Sequence, residues 1–490
     1  MKRLNSNILN LFKPKIRLEE VLINDIESGK TGYTGDYLQS KLLGKAFPFV
    51  SINGITLSPE DILDIRISSS GFLPTISINF RDTSRILSET YFPVDGEVIS
   101  IYLRSSGDEV TFNPIRLDFS TNSIMPLNFS YVRNYKVDGT LRIPQIWNDV
   151  TDWRESSSIK TLIKIAQDLE LGFSSNVEET NDIQTWICAK RSRYDWIKEI
   201  TKRVYLNDQS FFDSWIDVYY NLNLVEMNRL FTHSEDLEQS KLIATGLGDI
   251  IKGATVSSFT FPAVLTNLYQ FRGSNKFFSN YSQFNNSASI TEERGYYRYA
   301  KYWDYLNQEY VEDFVDPLTS EDSAKMIKTK GRYIGPLNDR KIEFEFENRP
   351  KKYEWVGYQT PNTHLNYSFS KILNEQNLID TRKIGIKINM SYINDSIYKG
   401  QRLYLAIYNY GNSAKDIANP SLKQDEKLTD LGKSYTAKRS EEVLDGSEFV
   451  VFNQALSGFY VVAGFDITWN PMQGFQHTVS LIRRELMPAA

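Results

Sequence analysis

Hydrophobic and polar residues alternate at period two over two widely separated stretches of the chain. In the first, Ile76, Ile78 and Phe80 alternate with Ser77 and Asn79, and an apolar run at 98–103 follows the turn Asp95-Gly96. Gly54, Gly71-Phe72-Leu73-Pro74 and Ser105-Ser106-Gly107-Asp108 supply turn chemistry between the runs. The pattern predicts short strands over 47–120, in a sheet that closes or packs on itself. In the second stretch Ile384, Ile386, Ile388 and Met390 share a face, and Lys399-Gly400 leads into an apolar run at 403–408. Strand patterns return at 459–469 and 477–481, with Asn470-Pro471-Met472-Gln473-Gly474 as the hairpin turn between them. A turn before an apolar strand, at Asp95-Gly96 and again at Lys399-Gly400, is a faint internal echo.

Between these stretches the period changes. Ile159, Leu162, Ile163, Ala166 and Leu169 fall on one helical face, with Ser156–Ser158 able to cap its start and Gly172 its end. A second helix is predicted from Ser192, on Trp196, Ile197, Ile200 and Val204. Ile216, Val218, Tyr220, Leu222 and Leu224 then alternate as one strand. Near-helical spacing of Leu4, Ile8, Leu11 and Phe12 predicts a short helix in an N-terminal arm. Further on, Tyr297, Tyr299, Trp303 and Tyr305 recur at period two, a candidate interface. Residues 411–442 carry six basic and six acidic side chains with few apolar ones, the pattern of a solvated loop.

Charge and composition narrow the chemistry. A formal net charge of −5 disfavours a general polyanion binder. One cysteine, Cys188, allows no intrachain disulfide, and three scattered histidines argue against a Cys/His zinc site. That cysteine usage is compatible with folding in a reducing cytoplasm. The N-terminus lacks the apolar core of a signal peptide, and no apolar run approaches the about 20 residues of a membrane helix.

Catalytic patterns are scarce, and the chain reads as a non-enzyme without a cofactor. G-x-S-x-G, H-E-x-x-H and the dinucleotide-binding glycine triad do not occur. Ser28-Gly29-Lys30-Thr31 has Asn24 where a phosphate loop needs glycine. Cys188 follows Trp186-Ile187 in an apolar setting, so a buried structural thiol is expected. His477 is expected at a surface or interface, and Glu309, Glu312, Asp313 and Asp316 in a solvated turn. The stretch 294–303 interleaves aromatic and basic side chains, which could stack bases or sugars.

The segment from Ile165 to Asn176, with Thr185-Trp186-Ile187 and Tyr194-Asp195-Trp196-Ile197 after it, resembles the α+β insert of baseplate central-hub proteins of contractile phage tails. Residues 456–462, 474–477 and 481–486 resemble the closing strands of the same family, which includes late-control tail proteins and the hub of type VI secretion spikes. The resemblance implies a mainly β, α+β chain with two related tube-type β-barrels and an intervening α+β unit. The resemblance spans about 47–230 and 380–486; with the patterns above it divides the chain into an N-terminal arm (1–45), a first barrel (46–145), the insert (146–240), a β-rich extension (241–380) that the resemblance does not cover, and second-barrel strands (381–490) with the loop 411–442, also not covered. It further implies a homotrimeric hub in the tail baseplate of a virion, assembled in the host cytoplasm. Such a hub adapts a sixfold tail-tube protein to a threefold spike protein and lines a channel for tape-measure protein and DNA in transit. The Tyr/Trp pattern at 297–305 motivates a second reading, a carbohydrate-binding or carbohydrate-cleaving β-rich tail component.

Overall fold

The computed structural model describes residues 9–12, 48–58, 60–83, 85, 97–103, 115–128, 131–231, 264–267, 276–286, 297–315, 351–382, 384–394, 397–411, 449–453 and 456–483. All but Gly411 of the charged loop 411–442 lies outside these residues, as does Asp316.

Leu9–Phe12 is a strand (β1), where the spacing predicts a helix. So short a helix is marginal, whereas a sheet edge offers its backbone a ready ladder. The first alternating stretch forms Phe49–Ile52 (β2), Ile55–Thr56 (β3), Ile62–Ser68 (β4), Thr75–Asp82 (β5), Val98–Leu103 (β6), Ile115–Pro126 (β7) and Arg133–Leu141 (β8). Their antiparallel pairing runs β3-β2-β6-β7-β8-β5-β4. Ile76, Ile78 and Phe80 all point into the core, as the period predicts, and Phe80 stacks on its cross-strand partner Tyr135 at 5.8 Å.

The insert follows: Asp149–Ser156 (β9), Ser158–Asp168 (α1), Gly172–Ser175 (β10), Gln184–Ser192 (β11), Arg193–Arg203 (α2), Phe212–Ile216 (β12), Asn221–Glu226 (β13) and Met227–Phe231 (α3). Strands β1-β10-β13-β12 form one sheet, and β9 and β11 a separate ribbon. Both predicted helices are present. Ser192 caps α2 by accepting from the Asp195 amide at 3.1 Å. The start of α1 is capped from elsewhere: buried Asp182 accepts from the Ser158 amide at 3.0 Å and from the Tyr205 amide at 3.0 Å. A carboxylate suits the positive end of a helix.

The single strand expected at 216–224 is a hairpin instead. Asp217 Oδ1 accepts from the amides of Tyr219 (3.0 Å) and Asn221 (2.9 Å), and Tyr220 takes a φ of 58°. This side-chain turn reverses the chain inside an unbroken alternation. Cys188 is buried, and burial raises its thiol pKa.

The second stretch contributes Val264–Thr266 (β14), Asn280–Asn285 (β15), Tyr297–Asp304 (β16), Glu309–Val315 (β17), Lys351–Gln359 (β18), Tyr367–Thr381 (α4), Ile384–Met390 (β19), Arg402–Ala406 (β20), Tyr408–Gly411 (β21), Phe449–Phe452 (β22), Gly458–Asn470 (β23) and Gly474–Ile482 (β24). Setting aside β16–β18 and β21–β22, its pairing runs β14-β20-β23-β24-β19-β15. That is the order of β2-β6-β7-β8-β5-β4, strand for strand in chain sequence. One direction differs: β2 is antiparallel to β6, while β14 is parallel to β20.

The correspondence extends to register. The long strand β7 has a bulge at its β8 edge between Thr121 and Ser123, and β23 has one at its β24 edge between Val462 and Gly464. Just before each bulge the amide donates at 2.8 Å to the residue preceding the neighbouring strand, Thr121 to the Glu97 carbonyl and Val462 to the Gln401 carbonyl. Aligned on the bulges, Ile76 matches Ile386, Ile78 matches Ile388, and Phe80 matches Met390. The two period-two runs therefore occupy equivalent strands.

These two strand sets are joined. Beyond its bulge, β23 pairs with β4 through Asp466↔Ser68, Ile467↔Ile67, Thr468↔Arg66 and Trp469↔Ile65. The result is one sheet of 13 strands. Among the described residues neither set closes on itself, and the first continues into the second where the sequence predicts two separate barrels.

His477, expected at a surface, is buried. It occupies the inward position that Tyr135 holds in the first set, and a polar residue there is invisible to the period. Its Nδ1 accepts from the Asn394 amide at 3.2 Å, and burial pushes its pKa down to about 3.

Two outcomes follow for stability. A Cβ on Gly464 would sit 2.6 Å from Ser70 Cα, on the chain leaving β4. Gly464→Ala is expected to cost about 2 kcal/mol or more in chemical denaturation. Ser123→Ala, at the matching bulge without that crossing chain, should cost well under half as much. His477 has a depressed folded pKa, so below its ordinary value of about 6.5 the unfolded chain takes up a proton that the fold refuses. Stability should fall as pH drops from there toward about 3. His477→Gln should flatten the curve by up to about 1.4 kcal/mol per pH unit in that window, read from urea titrations at pH 7, 6 and 5.

Candidate functional site: an exposed aromatic face

Strand β16 sends Tyr299, Lys301 and Trp303 to one side and Ala300, Tyr302 and Asp304 to the other. It pairs antiparallel with β17 and parallel with β18, forming a separate three-stranded sheet. The inner side packs on α4: Ala300, Tyr302 and Val356 meet Ile372 and Leu373, with Tyr205 of the insert. Tyr302 Oη donates to Asp313 at 2.7 Å, and burial and that carboxylate raise the phenol pKa.

The outer side is aromatic. Register places Tyr310 opposite Trp303, Glu312 opposite Lys301, Tyr353 opposite Tyr299, Trp355 opposite Lys301 and Tyr358 opposite Trp303. Trp355 and Tyr358 are three apart and would face opposite ways in a regular strand. A bulge between them restores the face, with Val356 turned inward and Gly357 at a φ of 108° that favours glycine.

The rings brace one another. Trp303 meets Tyr310 edge-on at 4.7 Å, Trp355 meets Tyr358 edge-on at 5.7 Å, and Tyr299 stacks on Tyr353 at 4.8 Å. Tyr305, in the β16–β17 turn, lies 5.7 Å from Tyr358. Tyr299 and Trp303 are half-buried, and the others are open to solvent: Tyr310 is 75% exposed and Tyr358 54%. Among the described side chains Lys301 is the cation of the face, 3.2 Å from Glu312 and 4.3 Å above the Tyr353 ring.

Three of the four sequence candidates, Tyr299, Trp303 and Tyr305, thus come together; Tyr297 lies in β16, but its side chain is outside the described residues. Tyr310, Tyr353, Trp355 and Tyr358 complete the face and were missed. Tyr353 and Trp355 carry a two-residue period, but β18 pairs in parallel from far along the chain, which leaves no hairpin signal. The carboxylates expected in a solvated turn are in a strand: Glu309, Glu312 and Asp313 belong to β17, where Glu312 and Asp313 serve the outer and inner sides.

The sheet is held to the insert through the end of α2, whose last carbonyls lack helical partners. Asn374 Nδ2 donates to the carbonyls of Lys202 (3.0 Å) and Val204 (2.8 Å), and its Oδ1 accepts from the Phe212 amide at 2.9 Å. Ser370 Oγ donates to the Arg203 carbonyl at 3.1 Å. Arg203 reaches back to the Val356 carbonyl at 3.0 Å, satisfying the bulge. Among the described residues no group of three or more His, Cys, Asp or Glu is placed to hold a metal ion. The chemistry offered by the face is stacking, apolar contact and hydrogen bonding.

No protein-family model matches the sequence, and no curated protein matches it. Solved structures similar to the chain include a tail protein from Neisseria meningitidis MC58, at 9% identity and a TM-score of 0.41, covering 89% of this chain and 96% of that one. The 43 kDa tail protein of prophage MuSo2 from Shewanella oneidensis is similar at 8% identity and a TM-score of 0.44, covering 89% and 98%. An E. coli component of the type VI secretion system is similar at 9% identity and a TM-score of 0.38, covering 89% and 76%.

The Asn374 contacts predict their own test. Asn374→Ala leaves three backbone groups without this partner, two of those bonds being fully buried, and should cost at least about 2 kcal/mol. Limited proteolysis should then cut within 297–381 while the insert stays protected; unchanged protease resistance and stability would show that α4 docks by apolar contact alone.

Proposed function

We propose that this chain is a structural component of a contractile tail or related injection machine, and specifically its central hub. The observation that carries the reading is the repeated strand order, β2-β6-β7-β8-β5-β4 and β14-β20-β23-β24-β19-β15, with its bulge in the same place. A chain with two equivalent sheet units lets three copies present six equivalent surfaces. That matches a sixfold tube on one side and a threefold spike on the other, without catalysis. The sequence resemblance at 165–200 and 456–486 points to the same family. In this reading the unit at 46–145, and the one that 381–490 forms together with β14 and β15, are two tube-type barrels around the insert. The partners are tube, spike and tape-measure proteins, with DNA only in transit, and the site is the tail baseplate.

The internal junction suggests how copies meet. Within the chain, β4 of the first set pairs with β23 beyond its bulge. The equivalent edges are β15 and the end of β7, and among the described residues neither has a partner on that side. Pairing β15 of one copy with β7 of the next repeats the internal junction and makes a head-to-tail contact that closes at three. Copying the register sets Met125 opposite Phe284, Pro126 opposite Gln283 and Leu127 opposite Ser282.

The Leu127 amide donates to the Asn134 carbonyl, so Leu127 is a non-hydrogen-bonded position toward the open edge. Such pairs accept a disulfide. Leu127→Cys with Ser282→Cys should give a covalent trimer on oxidation of assembled particles, and either variant alone should not. Three copies per particle without the crosslink would refute the edge pairing and spare the hub; six copies or one would refute the hub itself.

A further inference from the structure

We propose that the aromatic face of the β16–β18 sheet binds a neutral pyranose oligosaccharide. The inference stands apart from the hub reading, because it uses only the side chains of this face.

The described outward side chains are rings or the Lys301–Glu312 pair, with no aliphatic side chain among them. The C–H face of a pyranose packs on an aromatic ring, while its hydroxyls seek polar neighbours. Both are here: Tyr310, Trp355 and Tyr358 present rings, and Glu312 and the tyrosine hydroxyls present hydrogen-bonding groups among them.

Charge selects among ligands that stack. Nucleic acid would need cations free to meet phosphates. Lys301 already holds Glu312 at 3.2 Å, and Lys371 on the inner side holds Glu354 at 2.7 Å. The described outward side chains thus carry one cation and one carboxylate, already paired, and offer no net positive charge to a phosphodiester. A neutral, hydroxyl-rich chain meets no such obstacle.

The rings are also preordered. Edge-to-face contacts hold Trp303 to Tyr310 and Trp355 to Tyr358 with no ligand present, so little rotamer freedom is lost on binding. From Tyr299 to Trp303 the face runs about 13 Å along the strand, room for more than one sugar ring.

The test uses the full chain and isothermal titration with neutral hexasaccharides of glucose, N-acetylglucosamine and mannose. Saturable binding of at least one is expected. Trp355→Ala and Tyr310→Ala should each weaken it by about tenfold or more, and Trp355→Phe should retain most of it. All three variants should melt with the parent, since both positions are exposed. No binding of any hexasaccharide would overturn the proposal. So would binding that both alanine variants leave intact, tighter binding of a twelve-nucleotide thymidine strand, or self-association through this face with no sugar bound.

Discussion

The architecture turns on one strand serving two neighbours along a single edge. Before its bulge, β23 pairs with β20; beyond it, the same side pairs with β4 from the far end of the sequence. A bulge bends a strand and increases its twist, so two partners can follow each other along one side. Without that bend β20 and β4 would compete for one line of hydrogen bonds, and the two strand sets would have no shared sheet. Gly464 belongs to the same device: the chain leaving β4 passes so near that any side chain would collide with Ser70.

Where the two sets and the insert meet, a buried lysine ties all three. Lys399 Nζ donates to the Gly71 carbonyl at 3.1 Å, lies 3.9 Å from Asp213, and sits 4.8 Å above the Trp215 ring. Burial lowers its pKa and Asp213 opposes that. A buried ion pair recovers much of its desolvation cost without adding much stability. Its contribution here is geometric: one ammonium meets a carbonyl of the first set and a carboxylate of the insert at once.

Much of this was legible in the sequence, and the limits have physical causes. The runs Ile76-Ile78-Phe80 and Ile384-Ile386-Ile388-Met390 announced buried faces, and they prove to be equivalent strands. Of the faint echo, Asp95-Gly96 lies outside the described residues, but Glu97 and Gln401, next in sequence after the two turns, accept the same bond at the same bulge. Ser192 announced its helix. By contrast, the reversal at Asp217 depends on one carboxylate and leaves the alternation unbroken. The burial of His477 depends on a strand neighbour 87 residues away in sequence, at Met390. The aromatic face was half visible, because its third strand joins in parallel from beyond residue 350 and its bulge decides which rings share a side.

Similar pairing does not make the two junction edges alike. At the internal junction Ile467 faces Ile67, and its amide is free to bond toward β4. The matching residue on the open edge is Pro126. Because the Leu127 amide points to β8, the backbone nitrogen of Pro126 faces the open side, where it has no proton to give. Proline on an exposed edge discourages casual strand addition. A copy of the junction made between chains would therefore be weaker by one hydrogen bond than the copy made within a chain. The internal junction, reinforced by the Gly464 crossing and the Lys399 tie, would form first and the contact between copies second. In the hub reading that ordering separates folding from assembly, and the open edge at Met125 and Leu127 stays available until a correctly folded neighbour supplies β15 together with the rest of its surface.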